Sequence, residues 1–308
     1  MSNFNMTETP MILTGIDASN PLGFLAALGA VVTASVFCKE IKMSWQVAEG
    51  GWRPALWGTG NDQKTFVKHL DKVLQGLSMA PFEIDDKLPF AVELLTKSLS
   101  SAAKKVEMDD RRMVDFLAAF GSEVNSEKEA FKDTQFRMVR SGDSAGQGLP
   151  AYVRGMRLLS NVETLSRTLF KPWDYQDECS GLRLDPIDDK RYALRWRDPS
   201  KSGRETMIGA NNLAIEALQL YPTAPRNKDV VTTGFSRHVR RQVFFSWPIW
   251  EVPVSLDTLR SLLALNELHC EPPPRDVLSM RGVVEVYRSQ RIQQNQYYSN
   301  FTPGRPVE

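Results

Sequence analysis

Three arginines near the middle of the chain stand at alternate positions of one short segment. In LRLDPIDDKRYALRWRDPS, the alternating runs 182–184 and 192–196 flank the turn-forming DPIDDK, a pattern that predicts a β-hairpin. Successive side chains of a strand point to opposite faces, so Arg191, Arg195 and Arg197 are expected to share one face. Guanidinium groups bind phosphates and stack on bases, so this row predicts contact with a nucleic-acid backbone.

Further arginines and two tyrosines extend this prediction into the rest of the second half. The polar and aromatic tail, 293–308, is open to three interpretations: stacking on bases, docking on a partner protein, or disorder at the terminus. The predicted nucleic-acid-binding residues are Arg183, Arg191, Arg195, Arg197, Arg204, Arg237, Arg240, Arg241, Tyr297 and Tyr298.

The same hairpin turn carries three aspartates, Asp185, Asp188 and Asp189. Clustered carboxylates can hold magnesium for phosphodiester cleavage, which makes a metal-dependent nuclease an alternative function. Aspartates are also the ordinary residues of a turn, and they can pair with the neighbouring arginines instead. In the first interpretation the protein is a nuclease and the row has more than a binding role. In the second the arginines are paired and the row presents no free surface to a nucleic acid.

Other catalytic signatures are missing from the sequence. The three histidines, His69, His238 and His269, have no metal-ligand spacing. The loop SGDSAGQG at 141–148 lies between a predicted strand, 134–139, and a predicted helix, but no lysine follows its last glycine. We therefore predict no catalytic residue, no metal and no cofactor, and only a weak backbone contact at this loop.

Charge is distributed unevenly although the net charge is only +1. Residues 1–150 contain 5 arginines and 11 lysines, whereas residues 151–308 contain 18 arginines and 4 lysines. The first part is slightly acidic and the second slightly basic. A change from lysine to arginine within one chain indicates that the second part meets phosphates, unless the arginines pair with nearby carboxylates.

The elements that position these residues begin with a helix that has no polar face. Residues 22–37 contain no charged side chain, follow a predicted strand at 11–16 and a polar loop, and are too short for a membrane span. A hairpin follows at 43–57, in which Pro54 predicts an edge strand or a loop for the second arm. The pattern predicts an α+β fold, largely helical with short antiparallel strands.

The charged run 122–133 is the predicted domain boundary. It separates a helical N-terminal lobe, 1–133, from an arginine-rich α+β lobe, 134–308. The three cysteines are far apart and form no CxxC pair, and no signal peptide is evident, so a cytoplasmic location is expected.

Four stretches resemble the large-subunit and accessory proteins of CRISPR subtype I-G (formerly I-U) Cascade complexes. They are MILTGIDASNPLGFLAALGAVVTASVF, LRLDPIDDKRYALRWRDPS, GANNLAIEALQLYPTAP and FFSWPIWEVPVSLDTLRSLL, about a quarter of the chain. The resemblance implies a non-catalytic subunit of an RNA-guided antiviral effector. Its implied partners are guide RNA or target DNA and other CRISPR effector subunits, with no membrane association. A protein-interaction adaptor without nucleic-acid contact remains the second alternative.

Overall fold

The protein is described by a computed structural model over residues 9–106, 111–124, 130–140, 148–188, 205–237, 242–293 and 296–308. The helices in these ranges are α1 (Pro21–Ala34), α2 (Gln63–Gly76), α3 (Val92–Lys105), α4 (Arg112–Phe120), α5 (Leu149–Arg157), α6 (Val162–Phe170), α7 (Ile208–Ala217), α8 (Leu256–Leu263) and α9 (Arg275–Ser279). The strands are β1 (Met11–Ile12), β2 (Lys42–Ala48), β3 (Gly51–Trp57), β4 (Gly121–Ser122), β5 (Lys132–Asp133), β6 (Asp177–Glu178), β7 (Glu205–Thr206), β8 (Thr223–Arg226), β9 (Asp229–Thr232), β10 (Phe235–Arg237), β11 (Val243–Trp250), β12 (Val283–Gln293), β13 (Ser299–Phe301) and β14 (Arg305–Pro306). The predicted α+β class is confirmed.

Helix α1 is the centre of the molecule and is buried along its whole length, as its uncharged sequence predicts. Asn20 caps it by accepting from the backbone N–H groups of Leu22 and Gly23. It packs against α7, which is also buried throughout. A Cβ at Gly29 would lie 1.7 Å from the carbonyl oxygen of Leu213, so only glycine allows the two backbones to approach this closely.

The sheet that covers one side of α1 has the antiparallel order β1-β3-β2. The interpretation of Pro54 as an edge residue is therefore wrong, because β3 is the central strand. The carbonyl oxygen of Pro54 accepts from the N–H of Leu13, just beyond the end of β1. The nitrogen and carbonyl of one strand residue point to the same side, so the missing N–H of Pro54 faces away from β2 and leaves that ladder intact.

A second antiparallel sheet, in the order β10-β11-β12-β13 with β14 also on β12, is formed by the C-terminal third of the chain. Phe24 of α1 lies between the two sheets, with ring centroids 5.6 Å from Trp45 and 5.7 Å from Trp247. The tail is thus part of a sheet, and disorder was the wrong interpretation for residues 296–308. The predicted strand at 134–139 is also wrong, because this segment makes a turn and one isolated bridge at Val139.

One continuous hydrophobic core contains residues from both predicted lobes, from Met11 to Phe301. The domain boundary itself stays a prediction. The whole second arm of the predicted 182–196 hairpin, 192–196, lies outside the described residues, and 182–184 is not a strand. Of the helices that the structure describes, none combines the length and apolar character needed to cross a membrane.

Candidate nucleic-acid interface

Cationic side chains gather where the 130–140 segment meets β8, β9, β10 and β12. The ammonium group of Lys132 bonds to the backbone oxygen of Lys228 and to Asp229, and Asp229 also pairs with Arg237. Arg226 and Arg237 both line two grooves on this part of the surface. We call this surface the basic face; its cations are Lys132, Arg137, Arg140, Arg226, Lys228, Arg237 and Arg291.

Two carboxylates pair with the cations of the basic face. Asp133 accepts from Arg137 at 2.8 Å and from Arg140 at 2.9 Å. Asp229 accepts from Lys132 at 3.1 Å and from Arg237 at 2.5 Å. Among the described residues, seven cations against these two carboxylates leave a formal excess of five positive charges, which attracts polyanions.

The cations of the basic face form an inner and an outer layer. Arg291 is largely buried and donates to the backbone oxygens of Gln135 and Arg137 at 2.9 and 3.2 Å. Burial and the nearby Arg140 lower the pKa of Arg291 to about 10. Burial likewise lowers the pKa of Arg137. Arg291 therefore remains charged at neutral pH and adds positive potential behind the surface.

The outer layer is accessible to a ligand. Arg237 is 53% exposed, and Arg226 and Lys228 lie exposed at the β8–β9 turn, where Asn227 takes the left-handed conformation with φ of 57°. Grooves of about 270 and 510 Å³ lie beside Arg226 and Arg237. The arrangement supplies separate cationic donors along a groove, which suits a chain of phosphates better than a single small anion.

The tail tyrosines are held next to the basic face. Tyr298 pairs with Val139 in an antiparallel bridge, and the N–H of Arg140 donates to the carbonyl oxygen of Tyr297 at 2.7 Å. The guanidinium of Arg183 lies 4.2 Å from the ring centroid of Tyr298. Tyr297 is half exposed. A base can therefore reach the ring of Tyr297, whereas one face of Tyr298 is covered by Arg183.

The structure places four of the predicted binding residues at this surface: Arg183 lies on the ring of Tyr298, Tyr297 accepts from the N–H of Arg140, and Arg237 belongs to the basic face through its pair with Asp229. Lys132, Arg137, Arg226, Lys228 and Arg291 were missed, because only tertiary contacts bring them beside Arg237. Arg140 was also absent from the predicted binding residues, although its position directly before the glycine-rich loop was an available signal. The predicted residues outside the described ranges are Arg191, Arg195, Arg197, Arg204, Arg240 and Arg241.

Most described arginines of the second half have a carboxylate partner. Of the 12 that lie within the described ranges after residue 150, at least eight form ion pairs with described carboxylates, so much of the arginine enrichment serves the fold. The eight are Arg154, Arg157, Arg167, Arg237, Arg260, Arg275, Arg281 and Arg288. Arginine content alone is therefore a poor guide to a phosphate-binding surface.

The carboxylate of Asp185 is buried and already bonded within the protein. It accepts from Asn20 at 3.2 Å, from the hydroxyl of Tyr175 at 3.0 Å and from the N–H of Ile187 at 3.0 Å. Burial raises its pKa, and the three donors oppose that rise. Within the described ranges no group of three His, Cys, Asp or Glu side chains is arranged to hold a metal ion; Asp189 lies outside these ranges.

Comparison with known proteins identifies no family for this chain. Neither protein-family models nor curated proteins give a match to the chain.

Proposed function

We propose that this protein is a non-catalytic subunit of an RNA-guided antiviral effector complex of the CRISPR Cascade type. The observation that carries the proposal is the basic face, with its excess of five positive charges. The four sequence stretches that resemble subtype I-G proteins supply the biological setting. In such assemblies the guide reads the sequence by base pairing, and the proteins hold the nucleic-acid backbones.

The outer cations of the basic face have the chemistry for this role. Arg140, Arg226, Lys228 and Arg237 neutralise successive phosphates and release their counterions. Tyr297 adds a ring on which a base stacks at the edge of the face. The ligand is the backbone of guide RNA or target DNA, and other subunits of the complex contact the acidic first part of the chain.

Purification of the tagged protein from its host, followed by sequencing of any bound nucleic acid, tests this proposal. We expect short RNAs that share a repeat-derived segment, together with other effector subunits. A parallel sample in which Arg226 and Arg237 are changed to Glu serves as the control, and its RNA content should fall sharply. Recovery of sister proteins with no nucleic acid in either sample would instead support the protein-interaction adaptor.

The nuclease alternative has less support because the carboxylate of Asp185 is buried and occupied. Incubation of the pure protein with DNA or RNA and magnesium or manganese separates the two functions. The proposal predicts no cleavage. Cleavage that is abolished by Asp189→Ala would overturn the non-catalytic role.

The arginine row predicted from the sequence is tested separately. The triple change of Arg191, Arg195 and Arg197 to Glu should weaken nucleic-acid binding if the row joins the interface. Unaltered binding would remove the row from the proposal and leave the basic face as its sole support.

A further inference from the structure

A polar cavity of about 270 Å³ lies where the loop before α1 meets the β2–β3 turn and the segment after α6. It is separate from the basic face, since the two share no lining residue or cation. We call it the Asp17 pocket; the lining residues that matter here are Asp17, Asn20, Glu49, Arg53, Trp173 and Tyr175.

The walls of the Asp17 pocket are fixed by bonds that point away from its interior. Asn20 and Tyr175 both donate to the buried Asp185, and the indole N–H of Trp173 donates to the carbonyl oxygen of Thr168 at 3.0 Å. The polar atoms of both aromatic rings are thus engaged with the protein. Both residues line the cavity, with their ring centroids 6.1 Å apart and their ring planes inclined at 79° to each other.

The loop that carries Asp17 is held on both sides. The indole N–H of Trp247 donates to the carbonyl oxygen of Ala18 at 2.9 Å, and the N–H of Gly304 donates to that of Ser19 at 3.1 Å. Oδ1 of Asp17 accepts from the N–H and the hydroxyl of Ser19. This leaves Oδ2 turned toward Arg53, at 3.5 Å from Nη1.

The charge of the pocket is negative. Asp17 and Glu49 contribute two carboxylates, and Arg53 contributes one cation whose Nη1 also donates to the carbonyl oxygen of Ile16 at 2.9 Å. The same potential reaches Tyr287, whose pKa is raised by burial and then by Asp17 and Glu285. A phosphate is disfavoured here, whereas a flat cation gains from both the carboxylates and the aromatic walls.

We propose that the Asp17 pocket binds the guanidinium group of an arginine side chain from a partner polypeptide. The planar guanidinium stacks on the ring of Trp173, meets Tyr175, whose ring is inclined at 79° to that of Trp173, at its side, and donates to Oδ2 of Asp17 and to Glu49. This site is independent of the proposed function, because its evidence includes no residue of the basic face.

Fluorine NMR of protein labelled with 5-fluorotryptophan tests the proposal, with the Trp173 resonance assigned from Trp173→Phe. The probe is the blocked tripeptide acetyl-Gly-Arg-Gly-amide. The matched probe contains citrulline, which has nearly the same shape and no charge. We expect a saturable shift of the Trp173 resonance with the arginine peptide and none with the citrulline peptide.

Two variants place the binding at the carboxylates. Asp17→Asn and Glu49→Gln should each weaken binding of the arginine peptide by about fivefold, as expected for one partly exposed charge pair. Glu49 lies exposed in a turn, so its variant should fold normally, and Glu251→Gln, at an exposed acidic residue elsewhere, should bind unchanged. Equal binding of the citrulline peptide, or a Trp173 shift with guanosine, would overturn the proposal in favour of a neutral ligand.

Discussion

Two groups of arginines and carboxylates in this molecule consist of the same residue types but have different roles. In the first, the fully buried Glu216 accepts from Arg112 at 2.8 Å and from Arg157 at 2.5 Å. The side chains of these arginines are only 13% and 4% exposed. In the second, the basic face, Asp133 and Asp229 serve seven cations, several of them exposed. The first group ties α4 and α5 to α7, and the second leaves charge for a ligand.

The comparison shows that the ratio of cations to carboxylates, together with exposure, decides what an arginine does. Every donor of Arg157 that the structure records goes to a protein acceptor, namely Glu216, Asn212 and the carbonyl oxygen of Leu74. Such a guanidinium holds the fold and is buried away from any phosphate. Arg237, 53% exposed, shares Asp229 with Lys132 and can exchange its partner for a ligand.

The largest effect is expected from Glu216→Gln, which removes the buried charge between Arg112 and Arg157. Because two guanidinium groups then stay buried without a counter-charge, the free energy of unfolding should fall by about 3–5 kcal/mol. Urea denaturation measures the change. Glu267→Gln, at the half-exposed pair with Arg281, should cost less than about 1 kcal/mol. Equal losses in the two variants would contradict the distinction between buried and exposed pairs.

Charge reversal on the basic face should act on binding and not on folding. Changing Arg226 and Arg237 together to Glu should weaken binding of a labelled single-stranded RNA by at least about tenfold, since two phosphate contacts become repulsive. The matched control reverses Arg275 and Arg281, which are 44% and 46% exposed but lie outside the basic face. Similar losses in both double variants would mean that binding follows net charge and has no defined site.

Asp229→Asn should change RNA binding in the opposite direction, toward higher affinity. It removes one of the two carboxylates of the basic face and releases Lys132 and Arg237 for a ligand. Affinity for RNA should rise by about two- to threefold, a fraction of 1 kcal/mol, as measured by fluorescence anisotropy. Glu251→Gln makes the same change in net charge elsewhere and should leave the affinity unchanged.

The smallest effect is a pH dependence of stability at Asp229. Burial opposes its ionisation, but the N–H of Val230, Lys132 and Arg237 outweigh burial and hold the pKa of Asp229 below its ordinary value of 3.8. A lowered native pKa stabilises the fold above the unfolded pKa, and this contribution disappears as the pH falls through the native pKa. Wild type should therefore exceed Asp229→Asn in stability at neutral pH and lose that advantage in acid. A constant difference across this range would contradict the ion pairs.

Local sequence signals predicted the central helix of the fold. The uncharged run after Pro21 predicted a buried helix, and α1 is buried along its whole length. Pro54 misled the strand assignment, because the sequence does not show that β1 ends beside it. Which side of a strand has a neighbour is decided by tertiary packing.

The partners of the arginines were beyond the reach of the sequence. Arg112 and Glu216 are 104 residues apart, and Lys132 and Asp229 are 97 apart. Alternation along one strand can group arginines on a face, but it cannot say which carboxylates the fold brings to them. Six of the seven cations of the basic face, all except Arg237, were therefore absent from the predicted binding residues.

The most direct test is a salt titration of single-stranded RNA binding by wild type and by the Arg226→Glu, Arg237→Glu variant. Each phosphate contact contributes about −0.7 to the slope of log K against log salt concentration. We predict a steep negative slope for wild type that becomes shallower by about 1.4 when both arginines are reversed. A slope near zero for wild type, or the same slope for both proteins, would contradict a phosphate-binding basic face.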